Sequence, residues 1–201
     1  MYSANITRAF RHLSVLGLSL TLLAGCSSTA SNDTFDLSIN AGAAKTTQGQ
    51  RNRQLLIAEP TAVKALDSEN IVVRLSPSEM QYLAKSQWSD RLPKLVQSKL
   101  VEAFEDTGRF GGVGRPGQGL AIDYQVASEI RTFEVLTTSR QAVVELSVKL
   151  INDRNGSVRS QKVFRSVAPI SGSENANYIK ALDAAFAAAA RDIVSWSITV
   201  L

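Results

Sequence analysis

One cysteine and one histidine in 201 residues leave this chain little of the usual equipment of enzymes. The histidine, His12, and the cysteine, Cys26, both lie near the N-terminus. A disulfide within the chain needs two thiols, so none is possible. Long apolar runs are also missing. The longest, Leu13 to Leu23, has eleven residues, against the roughly 20 needed to cross a hydrocarbon core. It follows Arg8 and Arg11 and precedes the small pair Ala24-Gly25, the three-part layout of a secretory signal peptide rather than of a retained transmembrane helix.

Leu23-Ala24-Gly25-Cys26 is similar to the lipobox of bacterial lipoproteins. In those proteins the thiol takes a diacylglycerol, the peptide is cut before the cysteine, and the new amine is acylated. The expectation is therefore a cleaved segment 1–25 and a chain starting at lipidated Cys26. The other reading of Cys26 is a free thiol downstream of ordinary cleavage. One acyl chain gives marginal binding, whereas two or three hold a protein stably on a membrane. Ser27 at the next position, by analogy with lipoprotein sorting, directs such a protein to the outer membrane of a Gram-negative cell.

Cleavage removes Arg8, Arg11 and His12 and lowers the formal charge from +4 to about +2. Histidine-dependent triads, Cys-His catalysis and zinc sites built on His or Cys are then excluded. So balanced a charge, without a clustered basic stripe, gives no sign of nucleic-acid binding. Glu102, Glu105 and Asp106 fall on one helical stretch and read as a solvated face, and no carboxylate pair stands out as an acid/base dyad. No cofactor-binding or metal-ligating set is read. Gly112-Val113-Gly114-Arg115-Pro116-Gly117 spells G-x-G-x-x-G, but a helix precedes it, a strand follows and Pro116 interrupts it, the reverse of the dinucleotide fingerprint. It reads as a flexible connection.

Residues 26–34 are small and polar and suit a tether with a reach of about 15 Å. Residues 35–201 then read as one domain. Phe35, Leu37 and Ile39 alternate as a first strand, 40–53 reads as a loop, and Gln54 to Ala58 as a second strand. Ile71 to Leu75, a turn at Ser76 to Glu79, and Met80 to Leu83 form a hairpin. Leu92, Leu95, Val96, Leu100, Ala103 and Phe104 step by three and four, predicting an amphipathic helix with Ser89 as N-cap and Gly108 as stop. Alternation from Leu120 to Val135, a strand Gln141 to Ile151, a turn at Asn152 to Gly156 and a strand Ser157 to Val167 follow. A second long helix runs from Asn175 to about Trp196. Hairpins with little β-α-β alternation predict an α+β domain: a mixed or antiparallel sheet with two long amphipathic helices packed on it.

Leu66-Asp67-Ser68, Ile71 to Arg74, Tyr82, Trp88, the Leu92 to Phe104 helix and Gly108-Arg109-Phe110 together resemble the ABC-type transport auxiliary lipoproteins. So do the strand holding Asp123-Tyr124 and Phe133, the Asn152 to Gly156 hairpin and the Ala-rich C-terminal helix. The resemblance implies a non-enzymatic outer-membrane part that meets a periplasmic MCE-domain protein, working with an ABC permease and its ATPase to move lipids or organic solvents. It also admits a homo-oligomer, because MCE proteins are oligomeric. Two other readings remain: an apolar-ligand binding module lined by Phe104, Tyr124, Phe133, Phe164 and Trp196, and an activator of a cell-wall enzyme. Trp88, ahead of a helix, reads either as a staple or core side chain or as an exposed anchor for a partner.

If Cys26 carries the anchor, Cys26→Ser abolishes incorporation of labelled palmitate in cells and leaves the uncleaved precursor. Undiminished labelling of that variant overturns the assignment.

Overall fold

The computed structural model describes residues 32–39 and 53–201. Cys26 and most of the 40–53 loop lie outside the described residues. Among the described residues nine strands form one sheet: β1 (Asp33–Phe35), β2 (Gln54–Ile57), β3 (Thr61–Ala62), β4 (Asn70–Ser76), β5 (Glu79–Trp88), β6 (Gly112–Gly114), β7 (Tyr124–Leu136), β8 (Gln141–Asn152) and β9 (Val158–Pro169). Helix α1 (Leu92–Glu105) falls between β5 and β6, and α2 (Asn175–Val200) closes the chain. This is the mixed α+β architecture expected from the periodicities.

The sheet is organised on β7. One of its edges pairs along its whole length with β8, antiparallel, and β8 pairs in turn with β9. Three short segments tile the other edge in parallel: β2 against Tyr124 to Val126, β3 against Glu129 and Ile130, and β4 against Glu134 to Leu136. β5 and then β1 extend the sheet beyond β4, and β6 extends it beyond β2. Between β8 and β9, Gly156 at φ 70° occupies a turn conformation that costs an L side chain, and its N–H donates to Asn152 O at 2.8 Å.

Alternation sorts the side chains onto two faces. Ala142, Val144, Leu146, Val148 and Leu150 of β8 are wholly buried on the helix-covered face. Val96, Leu100 and Phe104 of α1 and Leu182, Phe186, Ala189 and Ile193 of α2 meet that core with no exposure. A β-bulge between Ile130 and Thr132 shifts the phase of β7. Val126 and Ile130 enter the core before it, and Phe133 and Val135 after it. The uninterrupted alternation expected for this strand is thus corrected by one residue.

The hairpin partner of β4 is much longer than the expected Met80 to Leu83. Two steps along β4, from Asn70 to Val72, match five steps along β5, from Gln87 back to Tyr82. This irregularity includes Lys85 at φ 56°. Tyr82 on one side of it is 50% exposed, whereas Trp88 on the other is 1% exposed. Trp88 packs edge-on against Phe133, centroids 5.8 Å apart, and Phe133 lies 6.0 Å from Phe186. Strand, strand and helix are thereby joined by one aromatic line.

Two boundaries also differ from expectation. Asp33 and Thr34, placed in the tether by composition, pair with Ser86 and Gln87. α1 begins at Leu92 with Arg91 as N-cap and Pro93 in its first turn, and no side chain caps it, so Ser89 does not. Ser89 instead donates its N–H to Phe35 O at 2.7 Å and closes the β1–β5 pairing.

Trp88→Ala removes the indole from this line and is expected to cost about 3–5 kcal/mol in chemical denaturation. A loss below about 1 kcal/mol would show that the site collapses around the deletion.

Candidate functional site

Strand β9 is an edge strand whose only neighbour among the described residues is β8. Of its twelve residues only Phe164 is buried. Phe164 meets Trp196 of α2 edge-on at 5.4 Å, where the last turns of the C-terminal helix lie beside the edge strand. Between them runs an open groove of about 560 Å³, lined by Lys162, Phe164, Arg165, Asp192, Trp196 and Thr199. Lys162 Nζ sits 5.1 Å over the Phe164 ring, a cation held on an aromatic face. β9 carries Arg159, Lys162 and Arg165 and no carboxylate. Arg165 reaches Glu145 of β8 at 3.6 Å. Val163 and Val167 are 41% and 42% exposed.

A second recess, about 310 Å³, opens at the start of β7 between Arg53, Asp123, Tyr124, Asn152 and Arg154. Asp123 Oδ2 accepts the Gln54 N–H at 3.0 Å and Oδ1 accepts Arg154 at 2.8 Å. The Arg53 guanidinium lies 5.5 Å over the Tyr124 ring. The Gln54 N–H chiefly, then Arg154 and Arg53, hold the Asp123 carboxyl below its ordinary range against a smaller opposing effect of burial. With both oxygens engaged and a lowered proton affinity, Asp123 is a clasp between β2, β7 and the β8–β9 turn, and a poor general base.

The residues singled out in the sequence do not converge on either recess. Trp88 fills the core, so the exposed-anchor reading is corrected: an indole 1% exposed has no surface to offer a partner. Nor is it a staple, since the residue before the N-cap of α1 is Asp90. Phe104 and Phe133 are core residues, while Tyr124 borders one recess and Phe164 with Trp196 the other, so the five aromatics do not share a cavity. Glu102, Glu105 and Asp106 are exposed on α1, with Glu102 3.5 Å from Lys99. The glycine motif is not merely a connection. Gly112–Gly114 is strand β6 and pairs in parallel with β2, and a Cβ on Gly114 would stand 2.5 Å from Leu120 Cδ1. The Leu120 side chain is itself 37% exposed and lies over this strand.

Sequence reading missed the β9 edge and the Asp123 clasp. The signal for the first was present as three cations without an acid between Val158 and Pro169. Among the described residues there is no group of three or more His, Cys, Asp or Glu placed to hold a metal, and no helix long and apolar enough to cross a membrane.

A mixed sheet covered by helices on one face, with open recesses at its margins, makes this an α+β domain. The chain belongs to the family of ABC-type transport auxiliary lipoprotein components, whose family model matches residues 35–194. It is 30% identical over 204 residues to an uncharacterised protein of Bradyrhizobium diazoefficiens, covering 98% of this chain and 53% of that protein. The chain thus spans about half the length of this curated relative. A Xanthomonas campestris protein of the DUF330 family superposes with a TM-score of 0.77 at 26% identity, over 84% of this chain and 95% of its own. A further uncharacterised protein shares the fold, with a TM-score of 0.67 at 14% identity over 83% and 99%.

The Asp123 clasp predicts a pH dependence. A carboxyl whose folded pKa is depressed contributes stability above its unfolded pKa and loses it as pH falls through the folded value. Between about pH 5 and pH 2, Asp123→Asn should therefore lose stability less steeply than the parent. Parallel denaturation curves for the two would remove the clasp from the acid response.

Proposed function

We propose that this protein is a periplasmic auxiliary subunit of an ABC/MCE-type transport system for lipids or organic solvents. It is anchored through Cys26 at the outer membrane and works as a docking part rather than an enzyme. The observation that carries the reading is the family match across residues 35–194, nearly the whole described domain. The recesses support a docking role, since both are open and neither holds an acid/base pair. The Asp123 carboxylate is occupied in holding strands together. Within this reading the anchor and tether keep the domain near one membrane, where it receives a periplasmic MCE-domain protein served by the permease and its ATPase.

The reading of an apolar-ligand carrier has less behind it. Phe104 and Phe133, which that role would place around a cavity, pack into the core without exposing surface. Activation of a cell-wall enzyme has no feature of its own here.

Crosslinked envelopes from cells making the tagged full-length protein should yield an MCE-domain protein on purification, and Cys26→Ser should reduce that yield severalfold. Repeated absence of any MCE-domain protein from the purified material would overturn the transport role. Equal yields from parent and variant would overturn the need for the anchor.

A further inference from the structure

Resting on the docking role just proposed, we infer that the open edge of β9 is the docking strip, and that its occupant is an extended acidic segment of a protein partner that adds a strand to the sheet. The backbone supplies the first argument. Ile170 N–H donates to Arg140 O at 3.0 Å, and these residues continue the β8–β9 register of Gln141 with Pro169. In an antiparallel ladder the paired residues alternate with residues whose N–H and C=O point away. Gln161, Val163, Arg165 and Val167 therefore turn their backbone groups to the open side. Pro169 falls on the same side, where its missing N–H breaks no bond with β8. A row of outward donors and acceptors on a long edge is a template for a further strand.

Charge selects the strand. Arg159, Lys162 and Arg165 line the edge without an acid on β9, and Arg159 and Lys162 have no carboxylate partner among the described residues. A second copy of β9 would bring the same three cations against these, so self-pairing is disfavoured. An acidic strand is favoured by the same charges. The groove beside the edge adds a preference for alternation. Apolar side chains on one face of the added strand reach the Phe164–Trp196 surface, displacing Lys162 from the ring, while Asp192 on the α2 wall repels carboxylates there. Acidic side chains then belong on the opposite face, where β9 carries Arg165, while Lys162 on the groove face adds only longer-range attraction.

The test uses full-length lipidated protein in detergent and two synthetic probes, an alternating Glu-Val peptide and its Lys-Val counterpart. The Glu-Val peptide should bind, slow amide exchange at Gln161, Val163, Arg165 and Val167, and shift the Trp196 indole signal. Val163→Pro, which removes an outward N–H, should weaken binding about tenfold or more, and Arg165→Gln, which removes the cation on the acid-bearing face, about threefold or more, while both unfolding midpoints stay near that of the parent. Equal binding of the Lys-Val peptide overturns the inference, as does unchanged affinity in both variants. Vesicles of anionic lipid that engage β9 while the Glu-Val peptide does not would assign the edge to a membrane surface instead. Absence of peptide binding with an MCE-domain protein still recovered from envelopes overturns only the docking strip. Peptide binding without such recovery overturns only the transport role.

Discussion

The rest of the structure depends on the two hydrogen-bonded edges of β7. A buried strand must satisfy its N–H and C=O groups on both sides. β7 does so with one long antiparallel neighbour and three short parallel ones set end to end. The chain from Gln54 to Ser76 therefore runs alongside β7 in the same direction, dipping out of the sheet only for the turn around Leu66. That geometry explains why strands of two to four residues persist here. β3 has only two, but it shares its line with β2 and β4 and inherits their alignment.

Once β7 and β8 are set, one face of the sheet must be covered. Their inward side chains form a continuous apolar surface, and α1 and α2 both lie on it. Gln97 of α1 donates to Ile57 O at 2.9 Å, one of few polar links through that layer. On the opposite face charge pairs sit alongside buried Val72 and Val143. Arg74 and Glu134 meet at 2.8 Å between β4 and β7, and this contact, ahead of the coulombic attraction, raises the Arg74 pKa.

Elements with a sustained period were legible in the sequence. Leu92 to Phe104, the Asn175 helix and the β8–β9 hairpin each repeat a pattern over ten or more residues, so one irregular position does not hide them. β3 and β6 are too short to carry a period. The bulge at Ile130 and the irregularity near Lys85 invert which residues face inward, and local alternation does not reveal an inversion. That is why Trp88 could be read either as core or as a surface anchor: its burial depends on partners far along the chain, Phe35 and Phe133. The edge at β9 was hidden for a related reason. A strand is an edge only because no other segment pairs with it, which is a property of the whole topology. Cys26 was legible from the opposite circumstance, since its reading rests entirely on its immediate neighbours.

The order β1-β5-β4-β7-β8-β9 has a mechanical side. The described chain enters at β1, at one margin, and β9 lies at the other, about 24 Å away at the usual spacing of roughly 4.8 Å between strands. Tension between those margins acts across the strands and loads the intervening ladders in series. Such a load opens hydrogen bonds one after another, and the shortest ladder yields first. β1 on β5 and β4 on β7 have three residue pairs each, against eleven between β8 and β9, but β4 on β7 is also tied by Arg74 and Glu134 and by buried Val72 and Val73, so β1 goes first. Under strain the domain would thus pay out a few residues at its entry, acting as a mechanical fuse, before its aromatic core felt the pull.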